Sequence, residues 1–312
     1  MVLLVKSGGP AALPEWQALF GEVLPDVTVK GWDDADVDPL SVRYVLVWEP
    51  TQGRIAQFPN LELVLSTAAG VDHILADTAL PTHLDIIRMV TEETSTRMAD
   101  FVTMASYALL REMPQLVSAQ REGRWDEARL GGVAKETPVA ILGLGELGSV
   151  AAARLAANGF PVLGWSRTQK SLPGVACHSG EAGLDRVLAQ ARIVVNLLPD
   201  TAQTKDLFGA ALFAKLPRGA SVINAGRGAQ LDTAALLAAL DSGQVGAAIL
   251  DVFKVEPLPQ DDPLWRHPHV IVTPHVASDA SRKEKARQAA LNIRAHQAGA
   301  AIVHRFDRAR GY

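Results

Sequence analysis

Short apolar runs alternate with amphipathic stretches along almost the whole chain. In the first third, "MVLLV", "RYVLVWEP", "LELVLSTAAGVDH" and "LDIIRMV" are β-type runs bounded by polar or turn residues. Apolar strands separated by helical segments predict a parallel α/β arrangement, because helices on both faces of a sheet leave its strands without a polar side. "TSTRMADFVTMASYALLREMPQLVSAQREGRW" then predicts a long helical segment with Thr or Ser caps, broken or kinked at Pro114, and reads as a crossover between domains. Strand and helix patterns resume with "PVAILGLG", "SVAAARLAANG", "FPVLGWSR", "LDRVLAQA", "RIVVNLLP", "ASVINAGRG", "DTAALLAALDSG", "GAAILDVF" and "HVIVTPH", the rhythm of a doubly wound sheet. "SRKEKARQAALNIRAHQAGA" is an amphipathic helix, and "HRFDRARGY" is expected to be a solvated tail.

At 312 residues the chain exceeds the usual size of one hydrophobic core, which favours two domains. Hydrophobic residues at 48% and charged residues at 21% are ordinary for a globular protein and exclude disordered, fibrous and coiled-coil classes. A net charge of -4 provides no general basic field, so nucleic acid is not an expected partner. The lone Cys177 can form neither an internal disulfide nor a metal cluster; it is read as a spectator thiol in a reducing compartment. The initial apolar run is too short for a signal-peptide core, and Glu146 and Arg154 interrupt the Ala-rich stretch well short of the roughly 20 apolar residues of a membrane span. A cytoplasmic location without membrane partners is expected.

Gly143, Gly145 and Gly148 form G-x-G-x-x-G directly after the strand "VAIL" and before an Ala-rich helix, with Glu146 and Leu147 in the intervening positions. Positions without side chains allow a tight turn and bring a pyrophosphate to the N–H groups of a helix N-terminus. This predicts dinucleotide binding. The next strand, "FPVLGW", should end about 20 residues on in an acid that accepts from the ribose hydroxyls. Ser166, Arg167 and Thr168 stand there instead, with Lys170 nearby. A carboxylate repels a 2′-phosphate, whereas a hydroxyl, a guanidinium fork and an ammonium bind one, so NADP(H) is the expected cofactor with NAD(H) as its alternative; an ordinary polar turn is the other reading of these residues.

Three further stretches fall at C-terminal strand ends, the rim where open α/β sheets place their chemistry: "NAGRG" with Arg227, "LDVFKVEPLP" with Asp251 and Glu256, and "VTPHVAS" with His275. Taken singly, Arg227 has an ordinary reading as a surface charge, Glu256 as a turn residue and His275 as a surface histidine. Their joint spacing, 29 residues from Arg227 to Glu256 and 19 from Glu256 to His275, resembles that of the D-isomer-specific 2-hydroxyacid dehydrogenases. "AAGVDH", "GWSRTQKSLPGV", "NLLPDTAQT" and "PLWRHPHVIVTPHVA" extend the resemblance over nearly the whole chain, toward the glyoxylate/hydroxypyruvate reductase branch. Two positions depart from the family pattern. Gly226 precedes the arginine where Ala or Ser is usual, and the ribose acid is replaced.

The chemistry of such a reaction calls for a hydride donor, a proton donor for the developing alkoxide, and a cation for the carboxylate. His275 suits the proton transfer, Glu256 suits the stabilisation of its imidazolium, and Arg227 suits a bidentate carboxylate clamp. The resemblance implies a nicotinamide contact for Asp251, or else a supporting contact behind the reacting groups, together with cofactor contacts for Leu198 and Pro199 and receipt of the substrate carboxylate by the Gly70 and Val71 N–H groups. A tight strand-to-helix turn is the other reading of that glycine. Trp48 in "VWEP" is either a pocket wall or core, His73 is read as structural, and no metal is expected.

The expected architecture is two doubly wound parallel-sheet domains, the central one Rossmann-type, with a cleft between them holding the active site. Residues 1–97 with 281–312 form the outer, substrate domain and residues 98–280 the dinucleotide-binding domain. The expected activity is NADPH-dependent reduction of glyoxylate or hydroxypyruvate to glycolate or D-glycerate. A reductase of a bulkier 2-keto acid, or a dinucleotide-sensing regulator like the family's corepressor members, are the alternatives. The resemblance also implies a homodimer built on the long helix after Thr96.

Overall fold

Apolar runs of three to six residues become the strands of two parallel sheets in a computed structural model that describes residues 1–311. In chain order the strands and α-helices are β1 (Val2–Lys6), α1 (Leu13–Val23), β2 (Thr28–Gly31), β3 (Val42–Val47), β4 (Leu63–Ser66), α2 (Asp72–Leu75), β5 (Asp85–Ile87), α3 (Glu92–Leu110) and α4 (Met113–Arg121). They continue as β6 (Val139–Leu142), α5 (Glu146–Ala157), β7 (Val162–Ser166), β8 (Val175–Ser179), α6 (Gly180–Leu188), β9 (Ile193–Asn196), α7 (Ala210–Phe213) and β10 (Ala220–Asn224). The last are α8 (Thr233–Asp241), β11 (Val245–Leu250), β12 (Val270–Val272) and α9 (Arg282–Gln297). Two compact units result, Met1–Thr94 with the chain from Asp279 onward, and Ser95–Ser278.

The first unit holds a five-stranded sheet in the order β2-β1-β3-β4-β5. Alternate residues of β1 serve opposite faces: Leu3 and Val5 join Trp16 and Phe20 of α1, while Val2 and Leu4 join Trp32, Val42 and Ile74. α9 closes the first face with the small residues Ala286, Ala289 and Ala290, and the Ser281 hydroxyl caps it by accepting from the Glu284 N–H. The segment expected to be a solvated tail is docked. Its His304 carbonyl accepts from Arg88 N–H, Phe306 N–H donates to the Ile86 carbonyl, Arg305 bridges Ile87 in antiparallel sense, and the Phe306 ring is buried. One apolar side chain and two main-chain bonds to an open strand edge outweigh the polar composition of that segment; Tyr312, its last residue, lies outside the described residues.

In the second unit the order is β12-β11-β10-β9-β6-β7-β8. Counted from β6 this is the doubly wound order 3-2-1-4-5-6 extended by one strand, with its switch point between β6 and β9. Val139 and Ile141 of β6 face one core and Ala140 and Leu142 the other. Such double burial explains why its strands read as unbroken apolar runs. The long helical segment is divided ahead of Pro114: α3 ends at Leu110, Glu112 takes a left-handed conformation, and Pro114 sits in the first turn of α4, where its missing N–H costs no bond. Among the described residues no helix is long and apolar enough to cross a membrane.

Candidate active site

Two of the three motif glycines answer close approaches within the second unit. Gly143 has φ +106°, and a Cβ there would stand 2.5 Å from the Leu197 carbonyl oxygen, across the switch point. A Cβ at Gly148 would overlap the Gly143 carbonyl oxygen, so its absence lets α5 pack onto the loop. Gly145 is different. Its φ of −75° suits any residue, and a Cβ would meet no protein atom within 4 Å. What the missing side chain leaves approachable is the first turn of α5, which begins with Glu146 and Leu147; N–H groups of a helix's first turn point along the axis toward its N-terminus, and this cradle fits a dinucleotide pyrophosphate.

Ser166 ends β7, and Arg167, Thr168 and Lys170 follow on an exposed loop. The Ser166 hydroxyl donates to the Thr168 carbonyl at 2.8 Å. Gln169 ties the loop to β8 by donating to the Cys177 carbonyl and accepting from the Ser179 hydroxyl. The position of the ribose acid is thus a polar, cationic rim.

The three chemistry-bearing side chains also belong to the second unit. His275 Nδ1 lies 2.7 Å from Glu256 Oε2, and Glu256 Oε1 accepts the Phe253 N–H at 2.8 Å, so both carboxylate oxygens are engaged. Each side chain of the pair is about one-third exposed, open enough to meet a small molecule. The hydrogen bond to Glu256 raises the His275 pKa above the ordinary 6.5; burial and the Arg227 charge oppose the rise, and the charges of Glu256 and Asp251 support it. Burial pushes the Glu256 carboxyl up, but the His275 and Phe253 hydrogen bonds and the nearby positive charges outweigh it and hold that group below its ordinary value.

His275 has φ +53°, in the left-handed region that a histidine seldom occupies. Asp251, 1% exposed, holds it there. Its Oδ1 accepts from the Thr273 hydroxyl at 2.6 Å and the Val276 N–H at 2.9 Å, its Oδ2 from the Ala277 N–H at 3.0 Å, and its carbonyl from the His275 N–H at 2.9 Å. Asp251 therefore shapes the histidine loop, the supporting one of its two expected roles.

Arg227 follows β10 in extended conformation, with Nη1 donating to the Gly226 carbonyl at 2.8 Å. The next residue sets its distance from Glu256. A Cβ on Gly228 would overlap the Phe253 carbonyl, so the arginine segment lies directly on the backbone that holds the glutamate. Leu198 and Pro199, which follow β9, are bound to the same segment through Gln230.

The first unit gathers the remaining predicted residues at the C-terminal ends of neighbouring strands. Half-buried Trp48 follows β3, its ring 4.3 Å from that of His73. Gly70 and Val71 follow β4. The Ala68, Ala69 and Gly70 carbonyls accept from the Met89 N–H, Arg88 Nε and the Ser66 hydroxyl. Because the peptide is planar and trans, turning the last two carbonyls toward Arg88 and Ser66 turns the Gly70 and Val71 N–H groups the opposite way. Ser66 and Arg88 were not anticipated; a serine closing an apolar strand was the available signal.

The chain and its fold have relatives among known proteins. The family model for the NAD binding domain of D-isomer specific 2-hydroxyacid dehydrogenases matches residues 103–277. A glyoxylate/hydroxypyruvate reductase A of Salmonella paratyphi B is 37% identical over 302 residues, covering 95% of this chain and 96% of that protein. A D-isomer specific 2-hydroxyacid dehydrogenase from Xanthobacter autotrophicus Py2, solved with NADPH and MES, superposes with a TM-score of 0.92 at 43% identity, covering 100% of this chain and 99% of that one. An NADPH-dependent glyoxylate/hydroxypyruvate reductase from Sinorhizobium meliloti, solved with NADP and sulfate, has a TM-score of 0.90 at 35% identity and covers the same shares of the two chains. The chain belongs to the D-isomer specific 2-hydroxyacid dehydrogenase family.

Proposed function

We propose that this dehydrogenase reduces the small 2-keto acids glyoxylate and hydroxypyruvate, to glycolate and D-glycerate, with NADPH as the preferred donor. The observation that carries the reading is the 2.7 Å His275–Glu256 pair, with the Arg227 segment packed on the backbone that holds the glutamate. When bound, the dihydronicotinamide supplies the hydride for the keto carbon. His275 hands a proton to the carbonyl oxygen; since Nδ1 faces Glu256, that proton leaves from Nε2. Glu256 keeps the ring oriented and stabilises its cation, and the Arg227 guanidinium holds the substrate carboxylate. The N–H groups of Gly70 and Val71 are assigned to the same carboxylate and Trp48 to the pocket wall.

For the cofactor, Gly143, Gly145, Glu146, Leu147 and Gly148 form the pyrophosphate cradle, with Leu198 and Pro199 alongside. Ser166, Arg167, Thr168 and Lys170 are assigned to the 2′-phosphate, supported by the exposure of the last three and by the lack of an acid in the loop. Asp251 is assigned a nicotinamide contact through the loop it organises. The relatives solved with NADPH and NADP support this choice.

The test is loss of NADPH absorbance with purified protein and glyoxylate, in parallel with NADH, hydroxypyruvate and a bulky 2-keto acid. Rapid oxidation of NADPH by the two small acids is expected; turnover confined to the bulky acid, or cofactor binding without turnover, would replace the reading. A homodimer is proposed from the exposed apolar side chains of α3, α4 and the segment after them, Met104, Met113, Trp125, Leu130 and Val133, with Trp125 88% exposed. Sedimentation at the mass of one chain would refute it.

A further inference from the structure

Three amide side chains that the reaction does not use lie buried between the arginine and the cofactor cradle. Asn196 ends β9, Asn224 ends the adjacent β10, and Gln230 lies on the short turn after Arg227; none is more than 1% exposed. Every polar atom of Gln230 is engaged. Its Oε1 accepts from Asn196 Nδ2 at 2.6 Å and from the Arg227 N–H at 2.9 Å, and its Nε2 donates to the Leu198 carbonyl at 3.1 Å and the Pro199 carbonyl at 2.8 Å. Asn224 Nδ2 donates to the Arg227 carbonyl, so the arginine's backbone is gripped on both sides. Asn196 Oδ1 accepts from the Leu198 N–H, and its Nδ2 also donates to Asn224 Oδ1 at 2.9 Å.

We infer that Gln230 is a positioning residue that ties the substrate arginine, Arg227, to the cofactor-side loop Leu198–Pro199, so that one buried amide sets both. This rests on the assignment of Arg227 to the substrate carboxylate. An amide is the group that suits the place: the two ends need an acceptor toward Arg227 and a donor of two hydrogens toward the carbonyls, which neither a carboxylate nor a hydroxyl supplies. The same network explains Gly226. A Cβ there would stand 2.6 Å from Gln230 Oε1 and 2.8 Å from Asn196 Nδ2, so the departure from Ala or Ser leaves room for the amide pair.

The test uses the full-length protein and the variants Gln230→Glu, Gln230→Leu and Gly226→Ala, with NADPH binding followed by fluorescence titration in the absence of keto acid. Gln230→Glu keeps the acceptor toward Arg227 but aims an oxygen at two carbonyls. At about pH 8, where a carboxylate is ionised, the NADPH Kd is expected to rise about tenfold; at about pH 6 burial favours the protonated acid, which donates again, and the Kd recovers toward that of the unmodified protein at the same pH. Gln230→Leu loses both ends, so NADPH Kd and keto-acid KM both rise, with kcat reduced less than in His275→Ala. Gly226→Ala displaces the amide and moves both quantities in the same direction. If Gln230→Leu does not fold, the other two variants carry the test. A lower melting temperature with Kd and KM unchanged would reduce Gln230 to a structural role and overturn the inference, as would a pH-independent NADPH Kd in Gln230→Glu equal to that of the unmodified protein. Arg227→Lys in the same assays separates the underlying reading: an unchanged keto-acid KM there defeats the carboxylate clamp and the substrate half of the coupling, while the NADPH titration decides the cofactor half independently.

Discussion

The rim of the seven-stranded sheet is built in two opposite ways. Around Arg227, Glu256 and His275, each position is over-determined: the Asp251 carboxylate takes three hydrogen bonds from the histidine segment, Glu256 uses both oxygens, and Gly228 lies against the Phe253 backbone. The Ser166–Lys170 loop carries exposed cations and is itself tied down by the Ser166 hydroxyl on the Thr168 carbonyl and by Gln169 on the Cys177 carbonyl. On the proposed function, the difference follows from what each region would recognise. Proton transfer and carboxylate alignment depend on distances and angles fixed before substrate arrives, and they need buried support. Choosing between a phosphate and a hydroxyl depends chiefly on the sign of local charge, which an exposed loop supplies.

The comparison is broken most severely by His275→Ala, expected to lower kcat by about a hundredfold to ten-thousandfold with a smaller change in KM; an unchanged kcat in steady-state assays would remove the proton-donor assignment. Glu256→Gln comes next. In the reductive direction His275 must be protonated, so kcat/KM is flat at low pH and falls as pH rises through the raised His275 value, above 6.5. A neutral amide weakens the hydrogen bond to His275 that is the largest cause of that rise and removes the Glu256 charge that supports it, so the falling limb moves to lower pH; a limb that stays put in a pH–rate profile would refute the coupling. The same pair contributes to stability with a definite sign. The His275 share is complete below 6.5 and lost as pH rises through its raised value, and the Glu256 share is complete above 4.5 and lost as pH falls through its lowered value, so melting scans should show the largest deficit of Glu256→Gln between the two.

On the loop, Arg167→Ala is expected to weaken NADPH by about tenfold and NADH little, as measured by titration of each cofactor; equal losses would break the charge-reading account of that region. The smallest effect is expected at half-buried Cys177 on β8, where Cys177→Ser should leave kcat and KM unchanged, and a changed KM would show that the β8 support of the loop matters more than its cations.

Much of this was visible before any coordinates. The apolar runs and G-x-G-x-x-G are local signals, and Arg227, Glu256 and His275 stand at strand ends where the fold class alone directs attention. What escaped notice depends on which strands are neighbours. Asn196 and Asn224 are 28 residues apart and meet because β9 and β10 are paired. The loop that Asp251 supports lies 22 to 26 residues further on, a reach that no local pattern carries. The docked segment after α9 was missed for a related reason: main-chain bonds to β5 have no side-chain signature, and Phe306 is a lone apolar residue among charges.

That docked segment protects the molecule from others of its kind. β5 is the last strand of its sheet, and an uncovered terminal strand displays a row of main-chain donors and acceptors that any extended polypeptide can join. Residues 304 to 306 take up the Ile86 carbonyl and the Arg88 N–H, so the place where a foreign strand would first add on is already taken by the chain itself. Prying it loose would open a template for aggregation and release the main chain of Arg88, whose side chain holds the Ala69 carbonyl, so solubility and the Gly70–Val71 turn would suffer together.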